Sequence, residues 1–170
     1  AIGLEIFLLV RNPWQVVLTA DHPHGGPFTS YPHLIRLLMD RSFREEQLAK
    51  LHPDVAQFSA LKSITRELTL QEIAILTRAA PAKLLGLRDR GHLGEGAAAD
   101  IAVYRDDADR ERMFTAPELV FKDGVLVSRA GRLTAAQPAC VRAADAEHSL
   151  RAPFAPAALD AARHFRAKHR

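Results

Sequence analysis

The sequence predicts an α/β protein: the closing part of a (β/α)8 barrel followed by a small β-rich unit. Three observations carry this expectation. An apolar run, Trp14–Thr19, delivers a carboxylate, Asp21, straight into a loop rich in His, Gly and Pro, Asp21-His22-Pro23-His24-Gly25-Gly26-Pro27-Phe28. That is how an α/β barrel builds its functional rim. A helical apolar stretch precedes the run, and helix, short turn and strand make half of a parallel βαβ unit. After Gly86 the pattern changes to short strands separated by turn pairs. A whole barrel takes about 250 residues, and this chain has 170. The expected division is therefore residues 1–86 for the last helix, strand and helices of the barrel, 87–136 for the β unit, and 137–170 for an Ala- and Arg-rich tail.

Each element follows from local pattern. Ala1–Val10 is apolar at nearly every position and reads as a buried helix, broken by Arg11-Asn12-Pro13. Trp14–Thr19 is rich in Val and Leu with little alternation, as in a strand covered on both faces. Tyr31–Met39 has the apolar spacing of an amphipathic helix, and Ser42–Leu51 reads as a second helical stretch. Thr69-Leu70-Gln71-Glu72 is a capping box, opening a helix that should run to about Ala79. Pro81 suits the first turn of another short helix and Gly86 its end. Asp100–Arg105, Glu118–Lys122 and Val125–Arg129 read as strands. Asp123-Gly124 between the last two is a strong hairpin signal, and Ala130-Gly131 offers a further turn. Pro156–Lys168 has the pattern of a helix with a proline in its first turn, or of a loosely docked tail.

Composition excludes several function classes. The pI of about 9.4 comes from dispersed Arg residues rather than one basic block, and only 6% of residues are aromatic, which argues against nucleic-acid binding. No stretch is apolar for long enough to cross a bilayer. Ala1–Val10 carries Glu5 and lacks a basic leader, so it is not a signal peptide. Cytoplasm is the default compartment. The chain does not open on Met, which fits an origin inside a longer protein. The one cysteine, Cys140, rules out an internal disulfide.

The chemistry points at the loop. Asp21, at a strand end facing polar residues, can ligate a metal and accept a proton from water. The competing role is an Asx-turn or a helix cap. Gly25, Gly26 and Pro27 favour the first role, because glycines let the backbone approach a ligand and their amides can stabilise an oxyanion. His22 and His24 form an H-x-H pair with zinc-binding spacing. No second group of His and carboxylates follows, and His24 is the better candidate for a substrate contact. Phe28, Thr29, Ser30 and Tyr31 can line a pocket, or can pack Phe28 and Tyr31 beneath the next helix. Arg36, Arg41 and Arg44 fit solvated helix faces better than an anion site. Lys83 fits a helix surface, and Asp100 a turn at a strand start.

Two segments resemble the amidohydrolase superfamily. Ala80-Pro81-Ala82-Lys83-Leu84-Leu85-Gly86-Leu87, Arg90-Gly91-His92-Leu93-Gly94-Glu95-Gly96 and Ala99-Asp100-Ile101-Ala102-Val103 are similar to the region where its chains leave the barrel for a small β-sandwich. Phe121-Lys122-Asp123-Gly124-Val125 matches the same region. The loop Leu18–Pro32, with Ala1-Ile2-Gly3-Leu4-Glu5 before it, resembles more narrowly the A subunits of formylmethanofuran dehydrogenases and of bacterial formyltransferase/hydrolase complexes. His24 departs from the Asn expected in archaeal members, and Ala20 from Thr.

That resemblance implies a dinuclear zinc site at the barrel mouth. Its ligands would be an H-x-H pair on the first strand, a carboxylated lysine, two further histidines and an Asp after the last strand. Only the Asp position falls within this chain, and Asp21 matches it as metal ligand and catalytic proton shuttle; His24, Gly25, Gly26 and Phe28 would face substrate. The activity implied is hydrolysis of a formamide C–N bond in one-carbon metabolism, in concert with other subunits of a complex. The substrate would be formyl-methanofuran or a similar formylated amine, and the chain alone would be inactive. The alternatives are a non-catalytic scaffold within a multi-subunit complex, or an amidohydrolase acting on cyclic amides or N-acyl amino acids.

Overall fold

Ile2–Leu9 forms helix α1, in a computed structural model that describes residues 2–22, 24–53 and 57–134; all of these fall in one compact unit. Cys140, the expected Pro156–Lys168 helix and the rest of the tail lie outside the described residues. The helix is present as expected, but it is not buried all round. Leu8 is buried and Leu4 and Phe7 pack on the core, whereas Ile2, Ile6 and Leu9 are 53–74% exposed. The reason is the supply of partners: helix α2, Tyr31–Met39, and the turn Ala60–Lys62 pack against α1, which leaves its other face uncovered among the described residues. Its C-terminal end is finished by Arg66, whose guanidinium donates to the carbonyls of Leu8 and Val10. A cation on those orphan carbonyls suits a helix C-terminus.

The expected strand Trp14–Thr19 opens instead on a helical turn, and the rest of it forms no ladder among the described residues. Pro13–Gln15 is a 3-10 turn, with the Asn12 side chain accepting the Trp14 N–H at 3.1 Å. Val16 is extended (φ −133°, ψ 151°), and residues 16–20 form neither helix nor strand ladder among the described residues. A strand ladder needs a neighbouring strand, and among the described residues the hydrogen bond this segment makes to another element goes to a helix: the Leu18 N–H donates to the Leu76 carbonyl at 3.2 Å.

Helix α2 is Tyr31–Met39, as expected, and α3 is Arg41–Leu48, three residues shorter at its C-terminal end than the predicted stretch. Asp40 ends one and starts the other. Its N–H bonds the Arg36 carbonyl, and its carboxylate accepts the Phe43 N–H at 2.9 Å. The capping box also forms: Thr69 and Glu72 exchange side-chain-to-backbone bonds at the start of α4, Leu70–Ala74. The helix does not stop near Ala79. It passes through a π turn, Ile75–Ala79, into α5, Ala80–Leu84.

Pro81 explains the π turn. The Ala80 N–H bonds the Ile75 carbonyl, five residues back, and Pro81 has no N–H to offer. The Leu76 carbonyl thus has no partner within the helix, and the Leu18 amide takes it. This is the bond that ties the extended segment to the helix beneath it.

The chain then folds into one antiparallel sheet in the order β1-β2-β3-β4, from β1 Ile101–Val103, β2 Leu119–Lys122, β3 Val125–Arg129 and β4 Arg132–Leu133. Asp123 and Gly124 both take positive φ (49° and 80°), the type I′ geometry that matches strand twist. Asp100 anchors the hairpin: its carboxylate accepts from Lys122 Nζ and the Asp123 N–H at 2.9 Å each, and pairs with Arg90. Among the described residues there is a single sheet, without the facing layer of a sandwich.

Helix α6, Arg110–Thr115, interrupts the strands and was not expected from the sequence. Asp109 caps it by accepting the Glu111 and Arg112 amides, and it packs on α2 through Arg36–Asp109 (3.1 Å) and His33–Glu111 (3.3 Å). Arg36 also lies over the Phe43 ring at 3.9 Å. The expectation of solvated faces for Arg36 and Arg44 is therefore corrected. Arg44 is fully buried, donating to the carbonyls of Leu37 (2.8 Å), Ile64 (3.2 Å) and Arg66 (3.0 Å). Burial holds its pKa below the ordinary arginine value, while Glu67, Glu45 and Asp40 oppose the shift. One planar guanidinium serves three carbonyls at this junction. The core around it is aliphatic, built from Leu8, Leu18, Leu38, Leu61, Ile73 and Leu76.

A candidate active-site loop

The loop that begins at Asp21 leaves the extended segment where the core ends: Leu18 and Ala20 are buried, Asp21 is exposed. Asp21 sits at φ +50°, the left-handed region that Asp tolerates better than most residues but that still requires support. The support is backbone-deep. The Ala20 N–H donates to Tyr31 Oη (3.3 Å), the Asp21 N–H to Thr19 Oγ1 (3.2 Å), and the Gly25 N–H to the Asp21 carbonyl (2.7 Å). Gly25 closes the turn because nothing larger fits: a Cβ there would stand 2.7 Å from the Ala20 carbonyl oxygen and 2.9 Å from Asp21 Cβ. Pro27 then starts a 3-10 turn, Phe28–Ser30, that runs into α2.

Every backbone polar group of Asp21 is thereby engaged, while its carboxylate makes no hydrogen bond or ion pair among the described residues. It is neither a helix cap nor the acceptor of an Asx-turn, so the competing role for it is not the one adopted. The turn thus presents its carboxylate to solvent from a backbone held at positive φ.

The other candidates divide. Gly25 and Gly26 shape the loop. His24 is exposed, and Phe28, 67% exposed, does not pack beneath α2. Tyr31 does pack there, its ring resting on the core. His22 stacks on Phe28, with centroids 4.0 Å apart and planes 23° apart. The H-x-H spacing therefore gives one ring to stacking rather than two to a metal. Among the described residues no three His, Cys, Asp or Glu residues gather to hold an ion. The donor chemistry nonetheless fits zinc at one position, Asp21, whose open carboxylate is a ligand type that zinc accepts.

A groove beside the loop is lined by Leu4, Phe7, Leu18, Thr19, His33 and Leu34, with neighbours from α3, and is mainly apolar; Asp21 is not among its lining residues. Lys83 lies on the helix surface as expected, 5.1 Å over the Trp14 ring. The sequence pointed to His22 through its H-x-H spacing and to Tyr31 as a pocket or packing residue, but not to the stack on Phe28 or to the hydroxyl that holds the Ala20 amide. Their signal was faint, an aromatic residue at the start of a helix and a histidine six residues before a phenylalanine.

Comparison with known proteins places these features. The amidohydrolase family model matches residues 4–133. The chain is 54% identical over 135 residues to the A subunit of the formyltransferase/hydrolase complex Fhc from Methylorubrum extorquens, covering 79% of this chain and 25% of that protein. It is 44% identical over 141 residues to FwdA of Methanocaldococcus jannaschii, covering 78% and 25%. Its fold matches a chain of the crystal structure of the Methylorubrum extorquens complex FhcABCD with methylofuran. The TM-score is 0.76 and the identity 54%, over 79% of this chain and 25% of that one. The chain thus spans about a quarter of the length of these relatives. With a family match running from α1 to β4, the chain belongs to the amidohydrolase family.

Proposed function

We propose that the chain supplies the catalytic carboxylate and the substrate-facing loop of a metal-dependent amidohydrolase that cleaves a formamide C–N bond. The observation that carries this is Asp21: fixed by its backbone at positive φ, exposed, and with its carboxylate unengaged among the described residues. In a chain of this family, such a residue at the end of an extended segment fits a metal ligand at the rim of a barrel. Extended residues 16–20 would be that barrel's last strand, paired with strands beyond this chain, and the sheet β1–β4 part of the β-sandwich.

Asp21 would hold zinc together with ligands from the rest of a longer protein. Bound there, zinc would supply Lewis acidity, lowering the pKa of water and polarising the formyl oxygen. The chain's own residues do the rest. Asp21 accepts a proton from the attacking water and delivers it to the amine nitrogen as the C–N bond breaks. Formamide and water thereby give formate and the free amine. The Gly26 amide and the exposed faces of His24 and Phe28 contact the formylated amine, while Gly25, whose N–H is held by the Asp21 carbonyl, brings the backbone close to it.

The relatives support the substrate class, since the matched solved complex is one with methylofuran. They also support work alongside other subunits. The test is Asp21→Ala in the full-length protein with its partner subunits, assayed with a formylated amine. Turnover should fall by about three orders of magnitude or more with the fold unchanged. Wild-type turnover would refute the assignment.

A further inference from the structure

We infer that Tyr31 is a positioning residue for Asp21, acting through the Ala20 amide; the inference rests on the amidohydrolase reading of Asp21. A left-handed Asp persists only where its surroundings over-determine it. Three hydrogen bonds do so here, and they are not equivalent. Thr19 to Asp21 and Asp21 to Gly25 span two and four residues, so both travel with the loop if it moves. The bond from the Ala20 N–H to Tyr31 Oη spans eleven residues and ends on a side chain whose ring is packed on the core at the first turn of α2. It is the one of the three that ties the carboxylate's turn to a rigid element.

Ala20 is buried, so without the phenol its amide loses its acceptor, a loss that favours rearrangement of the backbone. The next held amide upstream is Leu18, on the Leu76 carbonyl that Pro81 leaves open. Removing the hydroxyl therefore frees the chain from residue 19 onward and leaves Leu18 in place. A misplaced ligand and base lowers the rate of the chemical step without altering contacts to the distant parts of a substrate.

The experiment compares Tyr31→Phe with wild type and Asp21→Ala in the full-length protein with its partner subunits. Hydrogen exchange is followed by mass spectrometry on the same samples. Tyr31→Phe should lower kcat about tenfold and leave KM within about twofold. Exchange should quicken in the peptide spanning 19–22, with no change in the peptide covering the Leu68 amide, which bonds the Leu38 carbonyl in the core. Wild-type kcat in Tyr31→Phe beside an inactive Asp21→Ala overturns this inference alone. A fall in kcat accompanied by faster exchange at Leu68 also overturns it, because the effect is then loss of fold. Wild-type turnover in Asp21→Ala overturns the reading beneath it.

Discussion

Gly25→Ala probes the turn that carries Asp21 more directly than any change to the carboxylate itself. The added Cβ would meet the Ala20 carbonyl oxygen at 2.7 Å and Asp21 Cβ at 2.9 Å, with the Ala20 carbonyl carbon next at 3.5 Å. The nearest atom is backbone, so no side chain can swing aside. Relief of roughly 0.5 Å must come from moving Ala20, tethered to Tyr31, or Asp21, already at φ +50°. Overpacking of this kind costs about 1–3 kcal/mol. At about 2 kcal/mol, and a urea m-value of about 2 kcal/mol per molar, the midpoint falls by about 1 M. The assay is urea denaturation followed by far-ultraviolet circular dichroism and by the single tryptophan, Trp14. Two controls bracket it. Gly26→Ala, whose nearest contact would be 3.5 Å, should lie within about 0.5 kcal/mol of wild type. Gly3→Ala, in α1 with nothing within 4 Å, should gain about 0.5–1 kcal/mol. A Gly25→Ala midpoint equal to that of Gly26→Ala would refute the claim that the loop is locked against the end of the extended segment.

Other outcomes follow from the packing. Arg44→Met strands the carbonyls of Leu37, Ile64 and Arg66 and should cost about 3 kcal/mol, less than three full penalties because a buried charge is also removed; calorimetry checks it. Pro81→Ala returns an amide to the helix, so the Leu76 carbonyl is contested and the Leu18 amide should exchange faster while helical content holds. Acid should destabilise the fold. At Asp40, Glu72 and Asp100 burial pushes the carboxyl pKa up, but hydrogen bonds and the charges of Arg36, Arg66, and Lys122 with Arg90 outweigh it, and all three end below their ordinary values. A lowered folded-state pKa gives stability that is present above the unfolded value, about pH 4, and is lost as pH falls through the folded values. Urea midpoints should thus be level from about pH 5 to 7 and drop below about pH 4. Asp100→Asn should blunt that drop.

Features encoded by neighbouring residues were legible in the sequence. The Thr69–Glu72 box, the Asp123-Gly124 and Ala130-Gly131 turns and the amphipathic Tyr31–Met39 helix each rest on interactions within a few residues. What depended on distant partners was not. Trp14–Thr19 has strand composition, yet its Leu18 amide bonds a helix carbonyl that only Pro81 leaves open. Helix α6 is short and polar, and it is held by Asp109 and by salt links to α2 that no periodicity announces. Arg44 looked like a solvated residue on an Arg- and Glu-rich helix, and only the meeting of three carbonyls explains its burial. The exposed position of Asp21 was legible from its loop, but its positive φ and the hydrogen bonds that tie its turn to Tyr31 and Gly25 required coordinates. The His22–His24 spacing gave no hint that Phe28 takes the His22 ring.

The central claim is that Asp21 is a metal ligand. The measurement closest to it is a crystal structure of the full-length protein with zinc located by anomalous scattering. The account requires an Asp21 carboxylate oxygen about 2.0–2.2 Å from a zinc ion. A fully occupied metal centre in which Asp21 lies beyond about 4 Å of every ion, or is hydrogen-bonded as a helix cap, would contradict it.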